Sequence, residues 1–490
     1  MVPVLLIGIP LLAGLIGFSL KDAAAKSWSL FASFLTLGAS LAGISLRNSA
    51  DLLKFSTPWM GSLNSHFSIG LDGTGQILCL LTAIAFPVIF ISTWKEEYSK
   101  ARNFFGLMLL SQAGLMGVFL ANDALLFYFF WELALIPVYF LASQWGGEKR
   151  IAATFKFFIY TFLGSLMMLV GIIYIYFHTP DHSFALTAFY RAHLLIQNNT
   201  QSWLFWLIFI AFAVKMPIFP FHTWQPDTYE QAPTAVTMVL SGLMVKMGIF
   251  GLMRWLAPVL PMGTYLWGDT VSTMCIIGMI YASLIAMRQD DLKRMVAYSS
   301  IAHMGLMCLA IFATTEAGIQ GVMIQVFNHG INIIGLWIVV FLIEKQFNTR
   351  KISELGGLAA KAPVLTAMLV IIALANIALP LTNAFVGEFL MFTGVYTSKA
   401  TSYNVVFTVT AAVTVILSAV YMLNMIQRVF YGPTNALTEK AVDIRISEKM
   451  VLGFIVLLIL IVGIYPEPFF RLTQGAVDTL LSKMYVNPRP

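Results

Sequence analysis

Long apolar stretches recur along almost the whole chain, and they restrict its fold more than any other feature of the sequence. Hydrophobic residues make up 59% of the 490 residues and charged residues only 11%, whereas soluble proteins carry roughly 25% charged residues. A helix that crosses the hydrocarbon of a bilayer needs about 20 apolar residues. The sequence therefore predicts an all-α polytopic membrane protein.

Fourteen stretches are long and apolar enough to be membrane-spanning helices. They cover residues 2–19, 27–46, 73–93, 103–120, 123–142, 152–177, 203–220, 233–256, 270–287, 295–314, 320–344, 364–397, 404–431 and 450–465. The first charge, Lys21, follows the first stretch. A cleavable signal peptide begins with basic residues instead, so we expect this helix to be retained.

The whole chain is predicted to form one membrane domain. Its parts are the first three helices in 1–102, a first repeat in 103–256, a second repeat in 270–432, and the last helix with a C-terminal tail in 450–490.

Two of the predicted helices are interrupted. The seventh contains Pro217 and Pro220 in VKMPIFPF, and the twelfth contains Pro380 within the turn-prone stretch 375–389. Broken helices are tolerated only where protein or a water-filled cavity replaces lipid. Because the two breaks lie five helices apart, helices 4–8 and 9–13 are predicted to be inverted repeats with a transport site near the bilayer midplane.

Basic residues are distributed unevenly between the two sides of the membrane. The loops on one side hold eighteen Lys and Arg residues, and the side with both termini holds eight. Since the basic side faces the cytoplasm, we expect a bacterial inner (cytoplasmic) membrane with both termini on the outer, periplasmic side. This asymmetry accounts for the net charge of +6 without a nucleic-acid partner.

Four charged residues lie well inside predicted helices: Glu132, Lys215, Lys246 and Glu388. A charge at the centre of a membrane helix costs roughly 2.5–3.5 kcal/mol, so these side chains must face partners or water inside the protein. A carboxylate beside an ammonium keeps both groups charged, whereas separation of the two favours their neutral forms. A Glu–Lys pair whose distance changes is therefore a proton-releasing switch.

Two histidines, His303 and His329, also fall within predicted helices and can accept and pass protons near neutral pH. Lys156, just inside the sixth helix, and Asp123, at the start of the fifth, are further candidates. Single residues of this kind serve as structural ion pairs or interhelical hydrogen bonds, but six such groups on six helices favour a transport pathway. Haem ligation by the two histidines is a rival use, and it leaves the four buried charges unexplained.

The sequence indicates no metal or nucleotide site. Cys79, Cys275 and Cys308 lie in apolar runs without C-x-x-C spacing, which argues against iron–sulfur, zinc and disulfide frameworks. No P-loop follows a predicted strand, and no dinucleotide-binding glycine motif does so either. We therefore expect neither a metal nor a cofactor in this chain.

One long motif resembles a known family. The run KMPIFPFHTWQPDTYEQAPTAVTMVLSGLMVKMGIFG, residues 215–251, resembles the signature of the antiporter-like subunits of respiratory complex I and of multi-subunit cation/proton antiporters. The element WELALIP around Glu132 and the run RQDDLKRMVAYSSIAHMG, 288–305, strengthen the resemblance. Together with the fourteen predicted helices, it covers nearly the whole chain.

The resemblance implies a role for each candidate residue. Glu132 would pair with Lys215 of the broken seventh helix, and Lys246 would be the central lysine of the eighth. A proton would then pass through His303 and His329 toward Glu388 on the twelfth helix.

The twelfth-helix residue separates members of the family. The L and N chains of complex I and the antiporters resemble one another in carrying lysine there, whereas the chain expected between L and N carries glutamate, as Glu388 does in FVGEFL. The long lateral helix of the L chain has no counterpart in this sequence. One departure from the family pattern is FNHGINIIGLW, 327–337, where Asn332 and Gly335 make the eleventh helix unusual.

The resemblance implies a proton-translocating membrane subunit of NADH-quinone oxidoreductase. FMN, iron–sulfur clusters, NADH and quinone would then belong to partner subunits, and the neighbours in the membrane would be lipids and the L and N chains. A subunit of a multi-subunit cation/proton antiporter or of a membrane-bound hydrogenase is the alternative.

Overall fold

The computed structural model describes residues 1–47 and 49–484. The end of the predicted tail, 485–490, lies outside the described residues, as does the part that this tail plays in the predicted orientation of the termini.

Helices account for most of the chain, with one two-stranded sheet near the N-terminus. The helices and strands in chain order are α1 Val2–Gly17, α2 Asp22–Ser45, β1 Lys54–Met60, β2 Ser65–Gly70, α3 Gly73–Ser92, α4 Ala101–Leu120, α5 Ala124–Trp145, α6 Arg150–Phe177, α7 Leu186–Ala192, α8 Asn198–Lys215, α9 Trp224–Gln231, α10 Thr234–Val239, α11 Val245–Gly251, α12 Pro261–Arg288, α13 Leu292–Phe312, α14 Glu316–Phe347, α15 Leu358–Lys361, α16 Pro363–Asn376, α17 Asn383–Tyr396, α18 Asn404–Val429, α19 Ile446–Ile464 and α20 Glu467–Met484.

The predicted all-α membrane fold is confirmed. Within the described part of the chain, eleven helices are long and apolar enough to cross a membrane, and Val2–Gly17 and Pro363–Asn376 are shorter apolar helices. Each of the fourteen predicted stretches falls on a helix or on a broken helix. The number of membrane crossings and the inverted repeats stay predictions.

Both predicted breaks are present. Helix α8 ends at Lys215, and the chain passes through Pro217, with a positive φ of 20°, before α9 begins at Trp224. Helix α16 ends at Asn376, and α17 begins at Asn383. Proline lacks an N–H and its ring clashes with the preceding turn, which explains why each of these helices stops where it does.

The eighth predicted helix is continuous but not regular. Between α10 and α11 lies a π-helical segment, Leu240–Met244, and a second one, Leu252–Leu256, follows α11. All residues of the span Thr234–Leu256 that were tested for membrane crossing are buried inside the protein. This helix is therefore the centre of the molecule, and its π segments set the direction of the side chains that follow them.

Two elements were not expected from the sequence. Strands β1 and β2 form an antiparallel hairpin with Lys54 opposite Gly70 and Thr57 opposite Phe67. Helix α20 is amphipathic and packs along α3 and α14, with Phe469 and Phe327 in ring contact at 4.9 Å. The C-terminal segment after the last apolar helix is thus a packed element rather than a tail.

Close packing of α4 against α5 depends on Gly114. A Cβ atom at this position would lie 2.6 Å from the Cα of Ala134, which is backbone and cannot move aside. Ala134 is two residues from Glu132, so this contact also fixes the part of α5 that carries the buried carboxylate. We expect Gly114→Ala to destabilise the protein by roughly 1–3 kcal/mol through overpacking.

The measurement is the thermal unfolding midpoint of the purified protein in detergent. Gly38→Ala on α2 is the matched control, because a Cβ atom there meets nothing within 4 Å. Equal midpoints for the two variants would contradict the packing argument.

Candidate functional site

Lys246 lies at the centre of the site and is completely buried. Its Nζ donates a hydrogen bond to the carbonyl oxygen of Ser241 at 2.9 Å and lies 2.8 Å from Nδ1 of His329. Ser241 belongs to the first π segment, where the wider turn leaves a carbonyl available five residues before the lysine. Among the described residues, no carboxylate lies within 4.0 Å of this ammonium, so its nearest partner able to take a proton is a histidine.

His329 and His303 continue the site away from Lys246. Their ring centroids are 5.4 Å apart with the planes tilted by 60°. His303 Nδ1 lies 3.3 Å from Oε1 of Glu388, and that oxygen also accepts a hydrogen bond of 3.5 Å from Gln325. Helices α11, α14, α13 and α17 thus bring their ionisable groups into one buried row, which runs Lys246, His329, His303, Glu388.

The two histidines stand in the order opposite to the one expected. The sequence analysis placed His303 before His329 on the way to Glu388, whereas His329 contacts Lys246 and His303 contacts Glu388. In each ring Nδ1 faces one end of the row, and Nε2 is buried without a protein partner. Each imidazole therefore has one nitrogen engaged and the other free, as a group that relays protons requires.

Asparagines that the sequence analysis treated as a departure from the family pattern hold this row together. The side-chain amides of Asn332 and Asn383 donate to each other at 3.0 Å, and the amide of Asn328 donates to the backbone carbonyl of Asn383 at 2.7 Å. All three are buried. They join α14 to the start of α17, and so fix the position of Glu388 five residues later.

Glu132 and Lys215 do not form the ion pair that the family resemblance implies. Within the described residues their charged atoms are not within 4.0 Å of each other, and both Glu132 Oε1 and Lys215 Nζ are buried without a hydrogen-bond partner. The Lys215 Nζ instead lies 5.6 Å from the ring centroid of Trp131 and 5.7 Å from that of Phe157. The aromatic rings occupy the space beside the ammonium, and the structure represents the separated arrangement of this pair.

Lys156 does not join the row but belongs to a cluster of charges on the basic side of the protein. Its Nζ lies 2.8 Å from Asp227, which also accepts from Arg294 at 3.1 Å. Partial burial disfavours ionisation of Asp227, but the hydrogen bonds from Lys156 and Arg294 outweigh it, so the pKa of Asp227 lies below its usual value. This contribution to stability is present above the ordinary carboxyl pKa and is lost as the pH falls through the lowered value.

The same cluster links α9 to two further helices. Arg294 of α13 also donates to Glu230 at 2.8 Å, and Arg350 donates to Glu230 at 2.9 Å. Lys293 is buried and pairs with Glu344 of α14 at 2.7 Å. The half-helix after the first break is thus tied by charge to the two helices that carry the histidines.

Asp123 is a helix cap rather than part of the row. Its carboxylate accepts from the backbone N–H groups of Leu125 and Leu126 at 3.0 and 3.1 Å, as an N-cap does. It also accepts from the Ser65 hydroxyl and from the backbone of His66, which lie on β2. Its contacts attach the hairpin to the start of α5.

No group of three or more His, Cys, Asp or Glu side chains that could hold a metal ion occurs in the described part of the chain. Cys79, Cys275 and Cys308 are buried free thiols. What the buried row offers chemically is proton exchange between neighbouring groups.

Known proteins resemble this chain over most of its length. The sequence profile described as NADH:quinone oxidoreductase/Mrp antiporter, transmembrane, matches residues 121–417. NADH-quinone oxidoreductase subunit M of Rickettsia typhi is 38% identical over 87% of this chain and 85% of that protein. F420H2 dehydrogenase subunit M of Methanosarcina mazei is 36% identical over 98% of this chain and 99% of that protein. Among solved structures, a chain of respiratory complex I from Thermus thermophilus superposes with a TM-score of 0.90 at 26% identity, covering 99% of this chain and 100% of that one.

The charge cluster on the basic side yields a test of how α9 is held. Arg294 bridges two carboxylates of that half-helix, so we expect Arg294→Gln to destabilise the protein by about 1 kcal/mol, the upper end for partly exposed pairs. Lys351→Gln is the matched control, because its bond to Glu354 joins two exposed side chains. The thermal midpoint of the purified protein should fall for Arg294→Gln alone, and an equal fall for both variants would argue against the bridge.

Proposed function

This chain belongs to the NADH:quinone oxidoreductase/Mrp antiporter transmembrane family, and we propose that it is a proton-translocating subunit M of NADH-quinone oxidoreductase. The relatives with this name are 38% identical to it over most of their length. The observation that carries the proposal is the buried row of Lys246, His329, His303 and Glu388. Charges within a membrane helix are costly and mark ion or proton pathways.

The mechanism moves one proton at a time along the row. A proton taken up from the cytoplasmic side resides on Lys246, whose Nζ contacts His329 Nδ1. His329 accepts it there and releases a proton from Nε2 toward His303, and His303 passes one from Nδ1 to Glu388. Release from Glu388 is outward, and a new proton restores the ammonium.

Lys215 controls the charge state of Lys246 from outside the row. The backbones of α8 and α11 touch here, since a Cβ atom at Gly248 would lie 3.1 Å from the backbone nitrogen of Met216, next to Lys215. Glu132 is the carboxylate whose charge acts on Lys215. Movement of the Lys215 ammonium toward Glu132 reduces its repulsion of a proton on Lys246, and movement away increases it.

The electron-transfer chemistry belongs to partner subunits. FMN, iron–sulfur clusters, NADH and quinone would bind there, and this chain would receive the energy of quinone reduction through the Glu132–Lys215 pair and contacts with its neighbours. We place the protein in the inner (cytoplasmic) membrane of a bacterium with both termini outward, because the basic loops lie on the opposite side.

The second helix break supports neighbours within the membrane. Leu379 and Leu381 in this break are 43% and 69% exposed, and Ala378 and Leu381 have positive φ angles of 55° and 73°. Irregular backbone of this kind does not face lipid. A neighbouring subunit that covers the break meets this requirement, and the L and N chains on either side are the proposed partners.

The first functional test removes the central lysine. Lys246→Ala should reduce proton translocation by the assembled complex at least tenfold, because His329 loses the group that loads it. The measurement is quenching of a pH-sensitive dye in inverted membrane vesicles supplied with NADH. Lys361→Ala, at an exposed lysine on the basic side, is the control and should pump normally. Full pumping by assembled Lys246→Ala complex would remove this lysine from the pathway.

The second functional test addresses the outward end of the row. Glu388→Gln keeps the size of the side chain and its contact with Gln325 but removes the proton-carrying group, so translocation should fall severalfold while the complex still assembles. Glu467→Gln on α20 is the matched control, since this glutamate pairs with Arg471 on the protein surface. Unchanged pumping by Glu388→Gln would show that another group delivers the proton outward.

The electron donor is the point at which the relatives differ. The F420H2 dehydrogenase relative matches this chain over almost its entire length, so a complex with another reduced donor is the second candidate. Identification of the chains that copurify with this subunit decides between them. Sodium flux without any donor would indicate the antiporter alternative instead.

A further inference from the structure

A cavity of about 490 Å³ opens on the outer side of the protein, between the helices that carry His303 and Glu388. Its rim includes Thr315, just before α14, and Lys399, just after α17. Both turns lie on the side opposite to the basic loops, which faces outward by the distribution of Lys and Arg. The cavity is therefore open toward the outer aqueous phase.

The floor of the cavity reaches toward the outward end of the row. It is lined by Leu309 of α13 and Val395 of α17. Leu309 follows His303 by six residues and Val395 follows Glu388 by seven, which corresponds to about 9 and 10 Å along a helix. The His303–Glu388 pair and the cavity thus lie on the same faces of the same two helices, about two turns apart.

One layer of apolar side chains separates the two. Leu306 lies three residues after His303, and Met391 lies three residues after Glu388, so each faces the same way as the group before it. Both are buried, with exposed fractions of 3% and 0%. No ionisable side chain follows Glu388 on this face of α17 before the cavity.

The lining suits water and not an apolar ligand. Hydroxyl side chains contribute to several walls, including the buried Ser272 on α12, and the half-buried Asp269 and exposed Lys399 stand near the mouth. A volume of this size holds several water molecules, and hydroxyl and charged groups supply the partners that such waters need.

We propose that this cavity is the vestibule through which protons leave the subunit, an inference that rests on the proposed function. A proton moves from the carboxyl group of Glu388 past the layer of Leu306 and Met391 to a water molecule in the cavity, which becomes hydronium. The Glu388 carboxylate left behind is protonated again from His303. The hydronium then exchanges with water at the outer surface.

The experiment places a thiol on the wall of the vestibule. Ser272→Cys, in the complete complex within right-side-out membranes, is treated with the membrane-impermeant reagent 2-sulfonatoethyl methanethiosulfonate from the outer side. Labelling should occur and should reduce proton translocation at least fivefold in vesicles prepared afterwards, because the adduct occupies the vestibule. Ser402→Cys is the matched control, since this serine is exposed in the same outer turn but does not line the cavity.

We expect Ser402→Cys to be labelled without an effect on translocation. A labelled Ser272→Cys complex that pumps normally would overturn the inference, as would an assembled complex in which Ser402→Cys reacts and Ser272→Cys does not. Neither result affects the tests of Lys246 and Glu388, so failure of the vestibule is distinguishable from failure of the proposed function.

A second variant tests the apolar layer. Met391→Ser should let water reach the Glu388 pair from the vestibule and so increase the rate at which a pH gradient decays across vesicles that hold the complex. The increase should disappear on treatment of a Ser272→Cys/Met391→Ser complex with the same reagent. A decay rate equal to that of the unmodified complex would contradict the position assigned to the layer.

Discussion

The rest of the structure depends on a buried ammonium that has no carboxylate beside it. Lys246 is fully buried, and its hydrogen-bonding partners are a backbone carbonyl and a neutral imidazole nitrogen. Its charge is balanced only at the far end of the row, by Glu388. Transfer of one proton from the ammonium to the carboxylate makes both ends neutral and so removes two buried charges, which are costly in a medium of low polarity. The resting state of the row therefore stores the tendency to move a proton in one direction.

The packing of the helices brings these four groups close enough for that transfer. Helices α11 and α14 approach closely through glycines, since a Cβ atom at Gly330 would lie 3.2 Å from the carbonyl oxygen of Gly242. This approach lets the lysine reach His329, and the π segment before Lys246 directs its side chain. The asparagine contacts between α14 and α17 then place Glu388 against His303. Backbone irregularities and small residues thus contribute as much to the row as the ionisable groups do.

Sequence reasoning identified the ionisable residues because a charge in an apolar run is conspicuous, and it located the helix breaks because Pro217 and Pro380 interrupt such runs. It did not find the order of the two histidines, which depends on how α13 and α14 are rotated against α11. It also missed α20, whose buried residues Thr473, Val477 and Leu480 repeat at helical spacing within a segment too polar to be a membrane helix. The hairpin escaped notice because its first strand is mostly exposed and does not alternate regularly.

Separation of Glu132 from Lys215 acquires its meaning from the closeness of α8 and α11. Two unit charges about 10 Å apart interact by roughly 1–2 kcal/mol at the effective dielectric constant of a protein. A change of that size in the energy of a proton on Lys246 alters its occupancy about tenfold. Movement of one ammonium by a few ångströms, between the aromatic rings and the carboxylate, is therefore enough to decide whether the row holds its proton or passes it on. Because the outward end is closed by a single apolar layer, the loading of Lys246 and the wetting of that layer need not occur together, and a pump works only if they do not.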